Sequence, residues 1–167
     1  MRNLFLKALL ILGLAVVLSG CASKFRTYDG PEVTRLVVMK ADRRLYLMNG
    51  DTVLKDYAID LGFAPVGPKQ VEGDGRTPEG SYIIDRRNPN SLFHLSIGMS
   101  YPNEQDIARA SSMGLSPGGD IFIHGGPRRG IDRNGPDWTA GCISVSNREI
   151  EEIYAMVRDG TPIDLFP

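Results

Sequence analysis

Two side chains in this sequence combine reactivity with a permissive local backbone. His124 ends the apolar stretch Ile121-Phe122-Ile123-His124 and is followed by Gly125 and Gly126, and Cys142 follows Gly141 in Asp137-Trp138-Thr139-Ala140-Gly141-Cys142-Ile143. A thiol is mostly protonated at neutral pH, and only its thiolate attacks well, so a nearby imidazole that takes its proton makes a nucleophile and base pair. Gly141 allows close backbone approach, which puts the amide of Cys142 and a neighbouring amide in reach of the oxyanion of a tetrahedral intermediate. Acyl transfer through a thioester is the chemistry this pair supports. No acidic residue is an obvious third member, and the backbone carbonyl of Gly125 is the candidate by position for orienting His124. The competing reading of Cys142 is a small buried hydrophobe. The glycine before it and its place at a strand end argue against that.

The elements that must position the pair are mostly short strands. Arg35 to Lys40, Arg44 to Met48, Val53 to Leu61, Gly80 to Arg86 and Leu92 to Ile97 alternate or cluster apolar residues between turn-forming ones. Asn49-Gly50-Asp51 predicts a hairpin turn, and the Gly- and Pro-rich segment from Phe63 to Thr77 predicts a loop. Asp120 to His124, Gly141 to Val145 and Ile163 to Phe166 complete the set. One main helix is expected after Ser146, which with Glu149 forms a capping box ahead of Ile150, Ile153, Tyr154 and Val157 at helical spacing. The expected fold is mainly β with one main helix.

The N-terminus carries an export pattern. Arg2 and Lys7 flank the apolar run from Ala8 to Leu18, which is too short to span hydrocarbon as a mature helix. Leu18-Ser19-Gly20-Cys21 resembles the bacterial lipoprotein box, which implies cleavage before Cys21 and lipidation of its thiol. The expected organisation is a signal peptide over 1–20, a lipidated cysteine and polar tether over 21–33, and a catalytic domain over 34–167. Lipidation of Cys21 leaves Cys142 as the one thiol of the mature chain, in a compartment where cysteines usually pair. The 167 residues suit one domain, and 42% hydrophobic with 23% charged residues suit a cored protein. Loss of Arg2 and Lys7 leaves an acidic excess, which argues against nucleic acid as a partner. His94 and His124 lack neighbours at metal-ligand spacing, so no metal is expected.

His-Gly followed after a loop by Thr139-Ala140-Gly141-Cys142-Ile143 resembles the L,D-transpeptidase family, often called YkuD-type domains. Thr77-Pro78-Glu79-Gly80-Ser81-Tyr82 is similar to an upstream signature of that family, and the likeness in strand pattern runs from about Thr34 to Pro167. The resemblance implies a mixed β-sandwich of the L,D-transpeptidase type. It also implies that no metal or organic cofactor is needed, and together with the lipoprotein box the expectation is a periplasmic, lipid-anchored enzyme, with the outer membrane favoured because Ala22 gives no retention signal. Cys142 would attack the third-residue carbonyl of a peptidoglycan stem tetrapeptide, expel the terminal D-alanine and pass the acyl group to an amine. Hydrolysis of the same thioester, as carboxypeptidase or endopeptidase, stays open, as does a non-catalytic wall-binding lipoprotein. A wall-linked lipoprotein is a further candidate partner, and the lipid anchor implies contact with a membrane. Many members have Ser-His before Gly-Cys and arginine two residues after the cysteine, where this chain has Thr139-Ala140 and Ser144.

Around the pair, Trp138 and Thr139 are candidates for substrate contact, Trp138 either walling the groove or packing in the core. Arg128 and Arg129 are candidates for binding stem-peptide carboxylates. His94 is expected on the strand face opposite its apolar neighbours, as an ordinary hydrogen-bonded histidine rather than a groove residue. Arg76 and Thr77-Pro78 are expected to shape the turn into a strand.

Overall fold

The computed structural model of the chain describes residues 23–132 and 135–167. The expected signal peptide and Cys21 lie outside these residues. Eight strands and two helices follow one another as β1 (Arg35–Met39), β2 (Arg44–Asn49), β3 (Thr52–Ala58), β4 (Gly80–Asn88), β5 (Ser96–Met99), α1 (Glu104–Ser112), β6 (Phe122–His124), β7 (Ile143–Ser144), α2 (Asn147–Met156) and β8 (Pro162–Phe166).

Strand alternation explains the first half. Leu36 and Val38 of β1, Leu45 and Leu47 of β2, and Ile163 and Leu165 of β8 are buried, and their neighbours face outward. The strands join in the order β3-β2-β1-β8-β4-β5-β6-β7, with β1 parallel to β8, β6 parallel to β7, and the other pairs antiparallel. A register shift between Ile84 and Arg86 interrupts the pairing of β4 with β5. Such irregularities bend a strand, and here β4 serves β8 with one end and β5 with the other. The sheet curls so far that its ends meet: Asp60 and Ser144 exchange backbone hydrogen bonds at 2.9 and 2.8 Å, and Phe63 N donates to Thr139 O at 2.9 Å. The two layers expected of a sandwich are thus two halves of one coiled mixed sheet.

Helix α2 forms as its sequence predicts. Ser146 accepts from Glu149 N, the Glu149 side chain accepts from Ser146 N, and Ile150, Ile153 and Met156 are buried against the sheet. Helix α1 was not expected. Its nine residues bury only Asp106 and Ala110, so it has no apolar stripe to read. It is held instead by a capping box of Asn103 with Asp106 and by the hydroxyl of Tyr82, which donates to Asp106 Oδ2 at 2.9 Å.

The beginning of the domain also differs from a free tether. Lys24 Nζ donates to the carbonyls of Pro89 and His94 at 2.7 and 3.0 Å, Arg26 pairs with Glu151 and Glu152 on α2, and Phe25 packs against Tyr154. The segment straps α2 to the loop between β4 and β5.

Candidate active site

Strands β6 and β7 are parallel neighbours in the register Ile123 to Ile143 and His124 to Ser144. Cys142 directly precedes β7, two residues before Ser144, so it lies on the same sheet face as His124, diagonally across from it. The inner positions Ile123 and Ile143 are fully buried and fix both strands. The opposite face then carries the chemistry, and two clefts meet there. A cavity of about 270 Å³ is lined by Leu92, Phe93, Asp120, Phe122, His124 and Cys142 among others. A second, of about 370 Å³, is lined by Phe93, His124, Asp132, Trp138, Thr139 and Cys142 among others. The pair stands at the junction of the two.

His124 is 3% exposed, and its Nδ1 lies 2.7 Å from the carbonyl of Gly125. A carbonyl oxygen can only accept, so Nδ1 carries the hydrogen and the neutral ring leaves a lone pair on Nε2. Burial pushes the imidazole below its ordinary 6.5, while the Gly125 carbonyl and then Asp132 oppose that shift. Burial likewise pushes the Cys142 thiol up, the amide of Phe122 opposes it, and the carboxylate of Asp120 adds to it. Both shifts favour the neutral forms of thiol and imidazole. Among the described residues the sulfur contacts the Phe122 amide at 3.4 Å and the Asp120 carbonyl at 3.6 Å.

Gly141 is there for two reasons. Its φ is +134°, and a β-carbon would lie 2.8 Å from the carbonyl oxygen of Arg76. Its amide already donates to Thr139 Oγ1 at 3.1 Å, and that hydroxyl donates to Cys142 O at 2.7 Å. The Gly141 amide is thus engaged within the turn. Thr139 is 4% exposed, its hydroxyl shapes the turn before Cys142, and the residue borders the second cavity.

Arg128 has its carboxylate within the chain. Its guanidinium grips both oxygens of Asp132 at 2.7 and 3.0 Å and lies over the ring of Phe93, 4.5 Å from its centroid. It is not a free carboxylate receptor. Arg129 is exposed and lies in neither cavity lining. Trp138 is both cavity wall and core residue. It is 8% exposed and meets His124 edge to face at 5.6 Å, while Phe93 stacks on the imidazole at 4.3 Å and lies 5.7 Å from Trp138, so the three rings form one cluster. Among the described residues its buried indole Nε1 has no hydrogen-bond partner.

Two positioning residues, Asp137 and Lys40, had no signal of their own in the sequence. Asp137 holds Arg43 through both oxygens and accepts from Leu61 N at 3.0 Å, which fastens the start of the nucleophile loop to the β1–β2 turn. Lys40, 2% exposed, donates to Gly67 O, Thr77 O and Glu79 Oε1. Thr77, fully buried, accepts from Gly62 N at 3.0 Å. The Thr-Pro-Glu-Gly segment is therefore scaffold behind Gly141, as expected of Arg76 and Thr77-Pro78. His94 lies before β5, not inside a strand, at φ +74° with Nε2 2.8 Å from Glu151 Oε1. It is an ordinary hydrogen-bonded histidine.

A thiol just before one strand and a buried imidazole on its parallel neighbour, at the junction of two clefts in a coiled mixed sheet, make up the candidate site. The comparisons with known proteins agree in class: the YkuD L,D-transpeptidase catalytic domain matches residues 33–165, and the chain belongs to that family. It is 29% identical over 126 residues to YafK of Escherichia coli (strain K12), a match that covers 72% of this chain and 45% of YafK. The helical cell shape determining protein Pgp2 of Campylobacter jejuni has a similar structure, with a TM-score of 0.62 and 25% identity over 87% of this chain and 51% of Pgp2. L,D-transpeptidase 1 of Mycobacterium tuberculosis shares the fold at a TM-score of 0.52 and 15% identity, over 81% of this chain and 62% of that one. This chain spans about half the length of YafK and of Pgp2.

Proposed function

We propose that the chain is a peptidoglycan L,D-transpeptidase that works through an acyl-enzyme on Cys142. One observation carries this reading: thiol and imidazole share a sheet face at the junction of two clefts, with the imidazole held neutral and Nδ1 committed to Gly125 O. Nε2 of His124 takes the thiol proton as sulfur attacks the third-residue carbonyl of a stem tetrapeptide. The tetrahedral intermediate collapses, the imidazolium returns the proton to the leaving nitrogen, and D-alanine departs with a thioester left on Cys142. An incoming amine, deprotonated by the now neutral His124, then takes the acyl group and restores the thiol. The backbone amide of Cys142 is the candidate oxyanion donor, because the Gly141 amide is used within the turn. Phe93 and Trp138 pack against the imidazole, where aromatic faces favour the cation formed during the cycle.

Export and lipidation at Cys21 belong to the same reading. The anchor would hold the domain at the periplasmic side of the envelope, with the outer membrane favoured. The similarity to a cell shape determining protein supports a role in wall remodelling. The test is intact-protein mass spectrometry after incubation with a stem tetrapeptide or a carbapenem. A covalent adduct on Cys142 is expected, with at least a thousandfold slower acylation, roughly, in Cys142→Ala. A folded protein that never acquires the adduct sinks the proposal. With an amine present, crosslinked dimer marks transfer, and loss of D-alanine without dimer marks hydrolysis.

A further inference from the structure

The first cavity holds a charged residue that the acyl-transfer cycle does not use. Asp120 reaches the site through Gly118, at φ +72°, and Gly119, and itself adopts φ +56°, a left-handed conformation that aspartate and asparagine tolerate better than most residues. Its backbone carbonyl lies 3.6 Å from Cys142 Sγ, the residue borders the cavity, and its side chain is 81% exposed. One residue thus touches the nucleophile with its backbone and faces solvent with its charge.

The rest of that lining is neutral. Asn88, Ser91 and Ser96 are polar without charge, Leu92, Phe93 and Phe122 are apolar, and His124 is held in its neutral form by burial. Arg86, outside the lining, approaches Asp120 at 3.3 Å while also pairing with Asp85 at 3.2 Å and lying over the Phe122 ring. That contact uses one oxygen of Asp120 and leaves the other with acceptor capacity. The mouth of this cleft therefore carries a carboxylate beside the reacting sulfur.

We propose that Asp120 is a specificity residue that receives a primary ammonium group of the wall peptide at the mouth of the first cavity. This rests on the reading that Cys142 acts on stem peptides, whose third residue and whose acceptor both offer such a group. Charge on Asp120 also helps hold the thiol in its protonated form, after burial. An ammonium docked there offsets that charge, so binding of the correct peptide favours the thiolate. Because the carboxylate is exposed, its preference is modest, about two- to fivefold in affinity.

The test uses the chain with Cys142→Ala, so that no turnover intervenes, and calorimetric titration with three probes. These are a tetrapeptide with lysine third, its Nε-acetyl twin, and glycinamide as a free amine. The lysine peptide should bind about two- to fivefold tighter than its twin. Asp120→Asn, which suits the same left-handed backbone, should erase that difference and spare the twin. If Asp120→Asn instead weakens glycinamide alone, the ammonium received is that of the acceptor, and the proposal still stands. Equal affinity of lysine peptide and twin with glycinamide unchanged, or no binding by any probe, overturns it. Carbapenem acylation of the unaltered thiol is read separately, so an adduct formed without any Asp120 effect removes this inference alone.

Discussion

Two aspartates flank the candidate site, one at each cleft, and they are used in opposite ways. Asp132 is 10% exposed in its side chain, and both of its oxygens are bound by Arg128, which lies over Phe93, the ring that stacks on His124. Asp120 is 81% exposed and has a single, longer contact to Arg86. The first is spent on holding a wall and supports the charge of the base. The second is left open beside the nucleophile. Hydrogen bonding follows the same division: Asp137, Thr139 and Gly141 knit the second cleft together, whereas the approach through Gly118 and Gly119 to the first is sparsely held. A fixed wall orients the catalytic groups, and an open lip is where selectivity can be set.

The strongest way to break this contrast is with two glycines. Gly141→Ala places a β-carbon 2.8 Å from Arg76 O at φ +134°, so both strain and collision oppose it. A loss of about 3 kcal/mol or more is expected, read as a lower denaturant midpoint, with acylation falling further because the thiol moves. Gly119→Ala meets nothing within 4 Å. Its effect should stay within about 0.5 kcal/mol. Equal sensitivity at the two positions would mean that the walls do not differ.

Asp132→Asn sharpens the contrast through the base. His124 sits below its unfolded value of 6.5 because burial disfavours its charge, so below that pH the unfolded chain binds the proton more readily. Its contribution to stability is therefore complete above about pH 6.5 and declines as pH falls toward the folded value. Asp132 opposes the shift, so Asp132→Asn should lower the His124 value further and carry the acid limb of the acylation rate to lower pH. The melting temperature at pH 7 should fall by no more than about 2 to 4 °C. An acid limb that moves up, or stays put while Arg128 is released, refutes the assigned coupling.

Legibility in the sequence followed the same division between local and long-range causes. Strands β1, β2 and β8 and helix α2 were readable because alternation and capping are written in neighbouring residues. Cys142, His124 and the Gly125 carbonyl were readable because reactive groups next to glycine at strand ends are a local pattern. Helix α1 was not, because its support comes from Tyr82 and from a cap, not from an apolar stripe. Asp120 read only as the start of a strand, since its left-handed backbone and its place in the cleft depend on the fold. Arg128 looked available because its partner Asp132, four residues away, gives no sign in a loop that the two will meet. Ser144, at a position where many family members resemble one another in having arginine, is 2% exposed and tied by its backbone to Asp60, a contact closed by the far end of the sheet.

The smallest expected effect falls on the open lip and tests its electrostatics directly. The Cys142 thiol is held up first by burial, which the Phe122 amide opposes, and then by the charge of Asp120. Asp120→Asn removes that charge without altering burial, so the thiol should ionise at lower pH and its alkylation by iodoacetamide should quicken at any pH below its midpoint. Because Asp120 is exposed, the gain should be less than about fivefold. Salt screens such a contribution, so about 1 M sodium chloride should bring the two proteins together. Asp132→Asn should leave this rate nearly unchanged, since its carboxylate acts on the imidazole. A rate that falls in Asp120→Asn, or a gain that survives high salt, would place the cause in altered packing around the sulfur and not in the charge at the lip.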